Sequence, residues 1–174
     1  YAKVIDKAAY ERNQEIIRGE YRYAFPCMNT DKICIFTDTG KMHLAKIEDL
    51  PLVKLRGKGT PIDNVSNYDS QEEKIVFIAS LPSIKTASLL FATARGLIKQ
   101  VDGPEFDVTK RTIAALKLGD GDSVVFAGIS SYAEFTVLQS RGGYFLRMAT
   151  RDIPFQKRNS LGVRGIRLEG DDLV

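Results

Sequence analysis

The chain has 174 residues, of which 44% are hydrophobic and 27% charged, with a net charge of +3. That is enough apolar material for one real core, as a single domain or a short repeat array. No apolar run approaches the ~20 residues of a membrane-spanning helix, no signal peptide is visible, and +3 is too small to imply a nucleic-acid partner by itself.

The chain opens on Tyr1-Ala2-Lys3-Val4-Ile5, which matches the later segment Leu97-Ile98-Lys99-Gln100-Val101 and so enters a repeating unit just past its turn. A complete copy of that turn follows at Ile35-Phe36-Thr37-Asp38-Thr39-Gly40-Lys41-Met42-His43-Leu44-Ala45. It recurs around Phe91 and again around Leu138, so that Gly40, Gly96 and Gly143 coincide, as do Thr37, Thr93 and Ser140. The apolar sets Ile35/Phe91/Leu138, Met42/Ile98/Phe145 and Ala45/Val101/Met148 coincide too. Enrichment in β-branched and aromatic residues between Gly, Asp and Asn clusters predicts strands on both sides of each glycine. The glycines suit a hairpin tip with positive φ. Each copy closes with a further strand: Gly59-Thr60-Pro61-Ile62, Thr112 to Leu118, and Gly162 to Leu168. Acidic turns follow the last two, Gly119-Asp120-Gly121-Asp122 and Glu169-Gly170-Asp171-Asp172, and read as solvated loops.

A period of ~50 residues filled with short strands predicts an all-β, radial or solenoid assembly. The units fall at about 1–23, 24–72, 73–123 and 124–174, with four strands per unit. No unit can bury its apolar face alone, so neighbours must stack. The first unit lacks its opening strand and there is no initiator Met, so the sequence reads as a piece of a longer protein. Pro82 to Ala87 interrupts one unit and reads as a loop extending from the body.

Charge is placed unevenly. Residues 86–167 carry 12 basic and 7 acidic side chains, and the tail after them is acidic. Lys54, Arg56 and Lys58, then Lys110 and Arg111, then Lys157, Arg158 and Arg164 sit on the polar arms that precede the closing strands. Lys3, Lys41, Arg95, Lys99, Arg141 and Arg147 sit at or just after the hairpin turns. Repeated once per unit, such charge makes a basic stripe able to follow a phosphate backbone. The alternative is a mixed-charge solvated surface.

Nothing resembles a catalytic site: there is no Walker A loop and no G-x-S-x-G elbow. His43, the only histidine, takes the position of Lys3 and Lys99 and reads as a surface or DNA-facing group. Tyr1, Tyr10 and Tyr144 read as packing residues. Cys27 and Cys34 lack metal spacing and read as buried, reduced thiols, and no cofactor or metal is expected.

Two stretches carry a family resemblance: Phe91-Ala92-Thr93-Ala94-Arg95-Gly96-Leu97-Ile98-Lys99 and the closing run from Gly162 to Leu173. With Arg56-Gly57-Lys58-Gly59-Thr60-Pro61-Ile62, they make nearly the whole chain similar to the C-terminal domain of the A subunit of bacterial type IIA topoisomerases, gyrase and topoisomerase IV. The resemblance implies a β-pinwheel of about four four-stranded blades that exchange strands. It implies a non-catalytic domain that binds and bends double-stranded DNA around a basic perimeter and presents it to the cleavage core. The implied partners are that core and the ATPase B subunit, in the bacterial cytoplasm at the nucleoid, with no membrane. The nucleophilic tyrosine of the family lies in a separate upstream domain, so no tyrosine here inherits its role. Gyrase A subunits carry a heptapeptide box, Gln-Arg-Arg-Gly-Gly-Lys-Gly, that supports tight wrapping. The nearest match is Gln156-Lys157-Arg158-Asn159-Ser160-Leu161-Gly162, with a weaker echo at Val53 to Gly59. The incomplete box implies a topoisomerase IV type or degenerate gyrase domain. A propeller serving as a protein-docking platform is the competing expectation.

Overall fold

The computed structural model describes residues 1–174 and is built mainly of antiparallel strands. Strands β1 (Lys32–Thr37) and β2 (Lys41–Lys46) form the first hairpin. They are flanked by β3 (Ile75–Ser80) on one side and β6 (Thr112–Ala114) on the other, in the order β3-β1-β2-β6. The next unit repeats the plan. Strands β4 (Ser88–Thr93) and β5 (Leu97–Asp102) lie between β7 (Val124–Ile129) and β10 (Val163–Arg164). Each four-stranded sheet therefore draws its central hairpin from one stretch of sequence and both outer strands from the stretch that follows. The third hairpin, β8 (Phe135–Gln139) with β9 (Phe145–Ala149), forms a two-stranded sheet. At the N-terminus Ala2 bridges Thr60 antiparallel and Val4 bridges Leu52.

The hairpin tips are built alike. Gly40, Gly96 and Gly143 have φ of 76°, 80° and 86°. The first two serve a second purpose. A Cβ on Gly40 would lie 2.6 Å from the Leu116 carbonyl oxygen, and one on Gly96 2.9 Å from that of Ile166. Both tip carbonyls accept N–H groups from the closing segment, Ala115 and Leu116 in one case and Gly165 and Ile166 in the other. Glycine is thus required by the turn and by the strand that docks on it.

Strands β1 and β4 are near-continuous apolar runs because both faces of their sheets are covered. Between the two four-stranded sheets lies the largest core, including Phe36, Met42, Phe91, Val101, Phe106 and Ile113. The opposite face of the first sheet packs Ile33, Ile35 and Ile78 against Ala2, Val4, Tyr23 and Phe25. The opposite face of the second packs Leu90 and Ile98 against Leu138 and Ile153. The third sheet is less covered. Met42 is 0% exposed and Ile98 2%, but their counterpart Phe145 is 68% exposed.

Three helical segments depart from the expected all-strand reading. Helices α1 (Lys7–Arg12) and α2 (Gln14–Glu20) replace the arm of the first unit. The Asp6 carboxylate caps α1 by accepting from the Ala9 N–H at 2.7 Å, and Ile17 is the one buried residue in the pair. The segment expected to protrude at Pro82 lies instead in α3 (Leu81–Lys85), with Pro82 in its first turn and Leu81 and Ile84 buried. Gly103 lets α3 lie close, since a Cβ there would fall 1.8 Å from the Ile84 carbonyl oxygen. Cys34 is buried, and burial pushes its thiol up to about 12. Cys27 is exposed, which corrects the expectation for that thiol. Tyr1 and Tyr144 are also exposed, at 77% and 71%, where packing was expected.

Candidate nucleic-acid interface

The basic arms hold equivalent places in successive units: the first precedes the isolated Ala2–Thr60 bridge, and the next two precede β6 and β10, which close the four-stranded sheets. Thr60 pairs with Ala2, Ile113 with Met42 and Val163 with Ile98. The arms are therefore residues 53–59, 106–112 and 156–162. Lys54, Arg56 and Lys58 are exposed on the first, and Lys110 and Arg111 on the second. None of the five belongs to an ion pair. The Lys58 ammonium lies 5.5 Å from the centre of the Tyr1 ring. On the third arm Lys157 is exposed and paired with Glu105 at 3.1 Å. Arg158 is half-buried and donates from its guanidinium to the Ala114 carbonyl at 2.8 Å.

The hairpin candidates divide. Arg95, Arg141 and Arg147 are exposed, with the Arg147 guanidinium 3.7 Å over the Phe135 ring, and Arg164 is exposed on the closing strand β10. Lys41 is exposed but paired with Glu73 at 2.8 Å. Two candidates face inward. Lys99 is 0% exposed, and its ammonium donates to the carbonyls of Lys157, Arg158 and Ser160, each at 2.9 Å. Burial pushes it down to about 8, and Glu105 offsets part of the shift. Lys3 is half-buried and donates to the Tyr21 hydroxyl and the Gly57 carbonyl, both at 2.9 Å, and to the Leu55 carbonyl. A buried ammonium spending its hydrogens on backbone oxygens cannot also meet a phosphate, which corrects the DNA-facing expectation for Lys99.

His43 is corrected in the same way. It is 2% exposed, with Nε2 on the Glu73 carboxylate at 2.9 Å and Nδ1 on the Thr112 hydroxyl at 3.0 Å. Asn67 donates to the same hydroxyl at 3.1 Å. The cluster ties β2, β6 and the turn before β3 together. Sequence reading missed Glu73, although it stands two residues before β3, as Asp122 does before β7. Desolvation pushes the Glu73 carboxyl up, but hydrogen bonds from Lys41, His43 and Thr37 outweigh it and hold it at about 2. A folded value below the unfolded one gives stability that is present above the ordinary carboxylate range and lost as pH falls towards 2. Thermal midpoints measured from neutral pH to pH ~3 should fall more steeply in the wild type than in Glu73→Gln, which has no such carboxyl to protonate.

The acidic turns are less free than expected. Asp122 Oδ1 accepts the Arg95 backbone N–H at 3.0 Å, and Asp172 Oδ1 accepts that of Gly142 at 2.8 Å. Each latches its turn to the hairpin tip of its own unit. Asp120 and Asp171 are exposed. No group of three or more His, Cys, Asp or Glu side chains could hold a metal, and no helix is long and apolar enough to cross a membrane.

Strand-exchanging antiparallel sheets with glycine-tipped hairpins define the chain as a β-pinwheel, the blade architecture of the C-terminal domains of gyrase A and topoisomerase IV. Residues 87–131 and 135–174 match the family described as "DNA gyrase C-terminal domain, beta-propeller", and the chain belongs to that family. The DNA gyrase A subunit of Deinococcus deserti is 32% identical over 145 residues, covering 82% of this chain and 18% of that protein. Its Escherichia coli counterpart is 31% identical over 147 residues, covering 83% and 17%. The chain thus spans less than a fifth of these relatives. Among solved structures, the C-terminal domain of DNA topoisomerase IV superposes with a TM-score of 0.82 at 18% identity, over 99% of this chain and 56% of that one. The DNA gyrase A C-terminal domain gives 0.62 at 24% identity, over 84% and 47%.

Proposed function

We propose that the chain is a non-catalytic DNA-binding and DNA-bending domain from the A subunit of a bacterial type IIA topoisomerase. It would hold duplex DNA at its basic arms and present a segment to the cleavage core, working at the nucleoid with the ATPase B subunit. The observation that carries this reading is the set of unpaired, exposed cations at equivalent places in successive units: Lys54, Arg56 and Lys58, then Lys110 and Arg111. Such an arrangement meets phosphates at intervals and reads shape rather than base edges. The test is energy transfer between dyes at the ends of a ~40 base-pair duplex, titrated at about 50 and about 200 mM salt. A rise in transfer that largely vanishes at the higher salt is expected. Absence of binding at the lower salt would remove the reading.

A second reading, a protein-docking platform, is favoured by the exposed Val125, Phe126, Ile129, Phe135, Val137 and Phe145 on β7, β8 and β9. Polar substitutions in that patch that leave DNA bending intact but abolish capture of the cleavage core would favour it.

A further inference from the structure

Lys3 and Lys99 do the same thing to two loops of different sequence. Counting back from the strand pairs Ala2/Thr60 and Ile98/Val163 places Leu55 opposite Arg158 and Gly57 opposite Ser160. Those are the carbonyls that each ammonium gathers, with Lys157 added in the second loop. The loops, Val53 to Gly59 and Gln156 to Gly162, share only Lys54/Lys157 and Gly59/Gly162, so their own side chains do not explain a common backbone path. Burying an ammonium without an ion-pair partner is costly, and here the same device recurs in two units.

In a trans peptide the C=O and the next N–H point in opposite directions. Carbonyls turned in at 55 and 57 therefore turn the N–H groups of Arg56 and Lys58 out, and carbonyls turned in at 158 and 160 do the same for Asn159 and Leu161. All four residues are exposed, and none of these N–H groups is bonded within the chain. The neighbouring Arg158 N–H, turned out by the Lys157 carbonyl, already holds an anion. It donates to Glu105 Oε2 at 3.0 Å, while Lys157 pairs with Oε1. In the middle unit His43 replaces the lysine and bonds side chains only, so the arm 106–112 lacks this device.

We propose that Lys3 and Lys99 are positioning residues for two phosphodiester sites, formed by the outward N–H groups of Arg56 and Lys58 and of Asn159 and Leu161 with the basic side chains beside them. The proposal rests on the DNA-binding reading above. Outward backbone amides bind anions without regard to base sequence. Glu105 occupies the margin of the second site, so a phosphate must displace it, whereas no carboxylate pairs with the first loop's basic side chains.

The experiment compares the wild-type chain with Lys99→Met, with Lys157→Gln/Arg158→Gln, and with the combination, reading duplex affinity against salt and amide hydrogen exchange along the chain. Lys99→Met should bind ~10-fold more weakly, because the loop must now be ordered on binding. Its salt slope should be unchanged, since no phosphate-neutralising charge has gone, and exchange should quicken at 157–162. In the loop-neutralised background the same change should cost less than ~2-fold, because both act through one loop. A fall in slope of about one would instead make Lys99 a direct phosphate contact and overturn the proposal. An equal loss in both backgrounds would overturn it as well. The one charged group that acts on Lys99 is Glu105, which favours its charge, and Lys157 and Arg158 meet it through their backbone carbonyls. Above pH about 8 a neutral amine has two hydrogens for three carbonyls, so wild-type affinity should weaken from neutral pH to pH ~9 and Lys99→Met should not follow. If Lys99→Met does not fold, Lys3→Met with Lys54→Gln/Arg56→Gln repeats the cycle on the first loop. If the wild type binds no duplex, the DNA reading alone has failed. Exchange then decides the positioning claim, and unchanged protection at 157–162 in Lys99→Met would sink it.

Discussion

Replacing Lys54, Arg56 and Lys58 together by glutamate should weaken duplex binding about three-thousandfold at ~50 mM salt and about a hundredfold at ~200 mM. The reasoning is counterion release. Each phosphate neutralised contributes ~0.9 to the slope of log affinity against log salt, so three contacts remove roughly 2.7. Over the ~1.3 decades between ~50 mM and the molar reference this is roughly 3.5 decades of affinity, and less at higher salt. The three side chains are exposed and make no ion pair, so the fold should be spared, with stability changed by no more than ~0.5 kcal/mol. Anisotropy titrations at several salts, with a thermal melt as control, would check both halves. Loss of affinity without a change in slope would mean that these cations meet no phosphate.

The second large effect lies in the core. Phe36→Ala should cost about 3–5 kcal/mol of stability, which is a large part of what a domain of this size possesses. Phe36 is 1% exposed and stands where the two four-stranded sheets meet. Its ring centre lies 5.7 Å from that of Phe91 on β4 and 5.3 Å from that of Phe106, both edge-on, and 6.1 Å from that of Phe77 on β3. Rings from both sheets close on it, so the cavity cannot collapse without moving one sheet against the other. A urea titration should show a lower midpoint, and a midpoint within ~1 kcal/mol of wild type would mean that the sheets slide to fill the void. Phe145→Ala should cost far less, because its side chain is already 68% exposed.

Much of this architecture is legible in the sequence because a repeat states the same physical requirement several times. The hairpin tips at Gly40, Gly96 and Gly143 and the buried slots at Met42 and Ile98 follow from superposing the copies. What repetition hides is a position reused for another purpose. Lys3, His43 and Lys99 align, and a lysine beside a turn looks like surface charge, but its depth is set by a loop that returns ~60 residues later. Helices α1 and α2 are hidden by the opposite error, since forcing the first unit into the frame of the others conceals the Asp6 cap. Pro82 looks like a loop marker, yet it opens a helical turn. The pairing of Glu73 with His43 needs the third dimension, although the acidic position before β3 recurs before β7.

The exchange of outer strands has a consequence for how such a chain can be made and rearranged. The edge of the first sheet is not closed until Ile113 has met Met42, and that of the second not until Val163 has met Ile98. During synthesis each sheet therefore waits, with an open edge, for the greater part of the next unit to leave the ribosome. No cut between units leaves two finished pieces, because every boundary is crossed by strands of the sheet before it. A lineage can lengthen or shorten such an array only where the incoming stretch brings a strand for its neighbour, as links are added to a chain by opening the last one.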